Sequence, residues 1–192
     1  AITDPEEVIK KHFVDSITIK KYIKEENRLI DVGTGAGFPG IPLKIVDKSI
    51  KLTLLDSLNK RINFLNEIIE KLNLKEVNTI HSRAEEYAKN KVRESYDVAV
   101  SRAVADLPIL LEYLMPYVKL NGICICMKGP KAQEELERSK KAINILGGKL
   151  EKVEKITIDE EMERNLIIIR KIKDTPNKYP RKAGIPTKNP IV

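Results

Sequence analysis

With 35 Lys plus Arg against 28 Asp plus Glu over 192 residues, the chain carries a net charge of +7. It is long enough to bury one substantial core, and a basic excess of that size suits a polyanionic partner such as nucleic acid. The longest stretch without a charged residue, 32–43, is short and broken by Gly and Pro, which excludes a membrane-spanning helix there. Two cysteines are too few for a disulfide framework, and the first twenty residues hold no apolar signal core, so a cytoplasmic location is expected.

Taken in chain order, short apolar runs alternate with amphipathic helices. Strands are predicted at 28–32, 51–55, 77–81, 96–100 and 122–127. Between them Leu58, Ile62, Leu65, Ile69 and Leu72 make one helical stripe, a second helix covers 105–117, and a third covers 132–146 before Gly147 and Gly148. Strands separated by helices predict a parallel sheet covered on both faces, because parallel neighbours need a crossover connection. "KLEKVEKITI" and "RNLIIIRKI" break that rhythm: two strand-like runs joined by "DEEME" predict an antiparallel hairpin. From Lys173 onward, four of the ten prolines and +4 of the charge predict an extended basic tail, 173–192, after a domain spanning 1–172.

"LIDVGTGAGFPGIPLKI", residues 29–45, ends a strand in glycines and opens a helix. An α/β sheet binds nucleotide-like ligands at such a place, beyond the carboxyl ends of its strands. Gly33, Gly35 and Gly37 permit tight turns and close backbone approach, and Pro39 or Pro42 suits the first helical turn. "GAGFPG" matches the G-x-G-x-x-G dinucleotide pattern, so an NAD-dependent oxidoreductase is a competing reading. Two features favour S-adenosylmethionine. Asp31, two residues before the first glycine, suits a ligand with an ammonium and a sulfonium and would repel a pyrophosphate. The terminal hairpin, in turn, fits a seven-stranded methyltransferase sheet. Asp56, ending the second strand, stands where an acid takes ribose hydroxyls, or else caps the helix that follows, a job Ser57 can also do.

"HFVDSI", "DVGTGAGFPGIPL", "LLDSLNKRINFL", "SRAEE", "SRAVADL", "MKG" and "KYPRKAGIPTKNPI", in this order and spacing from His12 to the C-terminus, resemble the glucose-inhibited division protein B family. That family comprises the bacterial 16S ribosomal RNA guanine-N7 methyltransferases. The resemblance implies a class I S-adenosylmethionine-dependent methyltransferase, Rossmann-like, with a seven-stranded, mostly parallel sheet ending in an antiparallel hairpin. It implies cofactor contacts at Gly33, Phe38, Asp56, Ser57, Ala84, Glu85 and Arg102. It also implies a helical segment ahead of "AITDPEEVIKKHF", which begins without a Met. Glu85 is suited to accept from the exocyclic amine of adenine, and Arg102, just beyond the fourth strand, stands near the expected position of the methyl group and is the candidate for placing the substrate.

Guanine N7 offers a free lone pair, so attack on a sulfonium methyl needs no general base, and positioning carries the reaction. The sparse inventory of catalytic side chains agrees. His12 and His81 have no metal-ligand spacing, and Cys124 and Cys126, two apart on a strand, read as one buried face; no metal is expected. The chain lacks the cysteine beside proline or threonine of enzymes that attack a pyrimidine carbon. It also lacks the "PPY" motif of those acting on exocyclic amines, and both absences favour a ring nitrogen. Lys178, Arg181, Lys182 and Lys188 are candidates to neutralise RNA phosphates, Tyr179 to stack on a base and Lys128 to hold a phosphate. The expected partner is 16S rRNA or the small ribosomal subunit, met by a monomer without a membrane. A non-catalytic RNA-binding assembly factor is the third reading.

Overall fold

The computed structural model describes residues 4–102, 104–159 and 162–192. Seven strands are β1 (Arg28–Val32), β2 (Lys51–Asp56), β3 (Val77–His81), β4 (Tyr96–Arg102), β5 (Val118–Lys128), β6 (Gly148–Asp159) and β7 (Met162–Lys171). They form one sheet in the order β3-β2-β1-β4-β5-β7-β6. β1 to β5 are parallel, and β7 enters antiparallel between β5 and β6. This is the predicted parallel sheet with a terminal hairpin. β5 begins at Val118, earlier than the apolar run suggests, because exposed Lys119, Leu120 and Asn121 lead into its buried part.

A helical arm opens the chain: α1 (Pro5–Val8), a π-helical stretch (Ile9–Val14) and α2 (Asp15–Ile17). Then come α3 (Gly40–Val46), α4 (Asn59–Lys71), α5 (Ala84–Tyr87), α6 (Leu107–Leu114), α7 (Ala132–Arg138), α8 (Lys140–Ile145) and α9 (Ile185–Lys188). Of the predicted α4 stripe, Ile62 and Leu65 are buried, whereas Leu58 and Leu72 stand exposed at the two caps. The helix expected over 132–146 is two helices. Ser139 separates them, its hydroxyl donating to Glu135 O at 2.7 Å and so taking up a carbonyl of the preceding turn.

Alternation along the strands builds a core on each face. Ile30, Val32, Ala99, Cys124, Cys126, Ile167 and Ile169 face α6 and α8, packing on Leu107, Leu110, Leu111, Leu114 and Ile143. Leu29, Val98, Val100, Ile123, Ile125 and Ile168 face the other way, onto Ile19, Ile41, Leu43 and Leu65. The two cysteines share one face, as their spacing predicts, with sulfurs 3.6 Å apart, and burial pushes the Cys124 thiol up. Strand order reverses at β1, whose neighbours β2 and β4 lead away in opposite directions, so a crevice opens beyond its carboxyl end.

The last twenty residues correct the expectation of an extended tail: they form a strap folded back on the domain. Lys171, fully buried, donates to Met115 O at 2.8 Å and Thr175 Oγ1 at 2.5 Å and pairs with Glu94. Arg93 donates to the carbonyls of Thr175 (2.6 Å) and Tyr179 (2.8 Å). Tyr179 and Ile191 join the core under α6. Composition marked the segment as solvated, but these few anchors, apolar and charged, find buried partners. Among the described residues no helix is long and apolar enough to cross a membrane.

Candidate active site

A cleft of ≈ 1320 Å³ lies beyond the carboxyl ends of β1 to β4. That exceeds the space one small ligand usually needs and leaves room for a second reactant beside it. Gly33, Gly35 and Phe38 from the glycine loop, Asp56 and Ser57 from the end of β2, Ala84 and Glu85 beyond β3, and Arg102 from β4 all line it. These eight sequence-predicted residues are brought together around one space.

Asp31 and Gly37 are not among its lining residues. Asp31 Oδ2 accepts from Thr34 Oγ1 (2.7 Å) and Gly40 N (2.9 Å), so this carboxylate clasps the loop to the start of α3. Burial raises its pKa to about 6, outweighing those two hydrogen bonds, and its Oδ1 is buried without a protein donor. Pro42 takes a first-turn position in α3, while Pro39 precedes it. Gly35 has φ +61° and open space where a Cβ would stand. Its N–H donates to Asp56 Oδ2 at 3.0 Å, while Asp56 Oδ1 accepts from Leu58 N at 3.0 Å and Arg61 flanks the carboxylate at 3.1 Å. Asp56 thereby joins the glycine loop to the head of α4, and it keeps lone pairs for a ligand hydroxyl. α4 itself has no side-chain cap.

Arg102 is held rather than free. Its Nη1 donates to Asp15 Oδ2 at 2.9 Å, and its guanidinium lies over the Phe38 ring at 5.1 Å. Asp15, wholly buried, also accepts from Arg164 Nε at 2.9 Å. His12 stacks on Phe38 with centroids 5.1 Å apart, and its pKa is lowered by burial and by Arg102. The helical arm thus closes one side of the cleft. His12 and Arg164 line it and Asp15 binds both arginines, roles that sequence reasoning did not assign. The one available signal was that "HFVDSI" formed part of the family resemblance.

Three residues read as RNA ligands are engaged inside the protein. Lys128 is buried, donating to Ala105 O at 2.5 Å and pairing with Glu135 at 2.6 Å. Arg181 chelates buried Glu112 through Nε (2.9 Å) and Nη2 (2.6 Å), which raises the arginine's pKa. Tyr179 is 8% exposed, with Lys178 over its ring. Each is already engaged by a partner within the protein. Lys178, Lys182 and Lys188 are exposed.

Known proteins share this fold. A S-adenosylmethionine-dependent methyltransferase from Aquifex aeolicus superposes with a TM-score of 0.64 at 21% identity, covering 88% of this chain and 94% of its own. A methyltransferase from Pyrococcus furiosus gives 0.65 at 18% identity, covering 82% and 81%. The fold is that of the S-adenosylmethionine-dependent methyltransferases. The family model GidB, rRNA small subunit methyltransferase G, matches residues 1–167. Relatives called ribosomal RNA small subunit methyltransferase G from Acetivibrio thermocellus (56% identical) and Clostridium novyi (53%) align over all of this chain and 80% and 81% of their own length. The chain belongs to the rRNA small subunit methyltransferase G family, and the oxidoreductase reading of "GAGFPG" is not favoured.

Proposed function

We propose that the protein transfers a methyl group from S-adenosylmethionine to N7 of one guanine of 16S rRNA, acting as a monomer on the small subunit. The observation that carries this reading is a single cleft lined by the glycine loop, Asp56, Glu85 and Arg102, in a chain of this family. Several features of the cleft fit the cofactor. Gly35 leaves room against a bare backbone, Asp56 offers acceptors for ribose hydroxyls, and Glu85 offers one for an adenine amine. Asp31 acts through the loop it clasps, and its negative charge favours a cationic ligand from behind.

When bound, S-adenosylmethionine supplies an electrophilic methyl group. The protein's own part is to place the base and exclude water. Arg102, fixed by Asp15, is the residue we assign to the incoming guanine, donating to O6 and leaving the N7 lone pair for the methyl. Burial and Arg102 lower the pKa of His12, whose ring stacks on Phe38 at the cleft. Lys178, Lys182 and Lys188 meet RNA phosphates without reading sequence. The test is incubation with methyl-labelled S-adenosylmethionine and small subunits from cells lacking the gene. Label in the RNA is expected. Labelled protein-free RNA that never rises above background, with NAD retained by the protein instead, would overturn the reading.

A further inference from the structure

The C-terminal strap contributes part of the cleft wall. Gly184 and Thr187 of the strap line the cleft on the side of Glu85 and Tyr113. Gly184 N donates to Glu85 Oε1 at 3.3 Å, and the hydroxyls of Tyr113 and Thr187 meet at 3.2 Å. Two hydroxyls sharing one hydrogen bond commit only one of their two O–H groups. Glu85 is 4% exposed and lines the cleft, and one oxygen of this buried carboxylate accepts from the strap.

The strap is also firmly seated. Arg181, three residues before Gly184, grips buried Glu112 on α6 through its backbone N–H (2.8 Å) and guanidinium, and Tyr179 and Ile191 lie in the core on either side. Order along the cleft says which part of a ligand meets it. With ribose hydroxyls at Asp56, which ends β2, and the reacting end toward Arg102 on β4, the base of the nucleoside falls beyond β3, against Glu85.

We infer that the strap completes a subsite for the purine edge of the cofactor: Gly184 positions Glu85 to accept from the exocyclic amine, and the Tyr113–Thr187 hydroxyl pair donates to a ring nitrogen. This rests on the cofactor reading above and assigns Gly184, Thr187 and Tyr113 to it. Glu85 and Thr187 are binding residues, and Gly184 is a positioning residue. The segment that composition marks as a phosphate tail thus serves adenine specificity from its inner face.

The test is titration calorimetry of the full chain with S-adenosylhomocysteine and with S-inosylhomocysteine, whose purine carries an oxygen in place of the amine. The wild type is expected to prefer the adenosyl ligand by about tenfold or more, since a mismatched edge leaves buried polar groups unpaired. Thr187→Val is expected to weaken the adenosyl ligand about fivefold, the worth of one hydrogen bond, and Thr187→Ser to restore it. A chain ending at Ala183 is expected to lose the preference itself. Should that chain fail to fold, the Thr187 pair decides. Wild-type affinity and wild-type preference in Thr187→Val would overturn the strap's role while leaving the cofactor reading standing. Failure of the wild type to bind either ligand would overturn both.

Discussion

Asp31 and Asp15 are buried carboxylates with opposite situations. Asp31 has a folded pKa of about 6 against an ordinary 3.8, raised by burial. An acid with a raised folded pKa holds its proton more tightly in the folded chain, so its contribution to stability is full below about pH 4 and lost as pH climbs through 6. The loss is on the order of 3 kcal/mol. Asp31→Asn cannot titrate, and urea unfolding of both proteins at pH 4.5 and 7 is expected to show the variant gaining relative to the wild type as pH rises. Parallel pH profiles would contradict that assignment. Asp15, by contrast, has two arginines at 2.9 Å. Asp15→Ala leaves both cations without their anion and is expected to cost on the order of 3 kcal/mol. The same denaturation experiment measures it, and a loss well under 1 kcal/mol would mean the arm is not held by this carboxylate.

At the scale of elements, two glycines with similar backbones separate stability from binding. Gly147 ends α8 with φ +82°, and a Cβ there would stand 2.1 Å from Lys173 O. Gly147→Ala is expected to destabilise by more than about 2 kcal/mol, because the clash adds to left-handed strain at the start of the strap. Gly35, at φ +61°, carries left-handed strain too but has nothing within 4 Å of that position, so a side chain there meets no clash. Gly35→Val is expected to abolish S-adenosylmethionine binding in a calorimetric titration while melting closer to the wild type than Gly147→Ala does. Normal binding would show that the loop is not the site. Elements themselves were legible wherever periodicity and burial agree, as in β1, β2 and the terminal hairpin. The Ser139 break in 132–146 was not, because a hydroxyl turning back onto Glu135 O leaves the apolar pattern intact.

Across the whole molecule, the cleft could be read from sequence because its residues sit at or just beyond strand ends in a fixed order, Gly33 after β1, Asp56 closing β2, Glu85 after β3 and Arg102 closing β4. What lay hidden came from chain segments far from those ends. Asp15 reaches Arg164 across 149 residues, and Gly184 reaches Glu85 across 99. Charge counts also passed over the internal partners of Lys128, Arg181 and Tyr179, since composition does not show that Glu135, Glu112 and the core engage them. Three of the exposed strap lysines, Lys178, Lys182 and Lys188, are the residues proposed to meet RNA. Replacing Lys178, Lys182 and Lys188 together by Gln is expected to lower the salt slope of rRNA binding by about 2, at roughly 0.7 per phosphate lost. A filter-binding series from low to high salt measures it, and an unchanged slope would assign RNA binding to another face.

Methyl transfer to guanine N7 is tested by nucleoside mass analysis of 16S rRNA, after incubation of small subunits lacking the modification with the protein and methyl-labelled S-adenosylmethionine. One labelled nucleoside, N7-methylguanosine, is expected, and it is expected to disappear when Arg102 is replaced by Ala. Label in any other nucleoside, or undiminished N7-methylguanosine from Arg102→Ala, would contradict it.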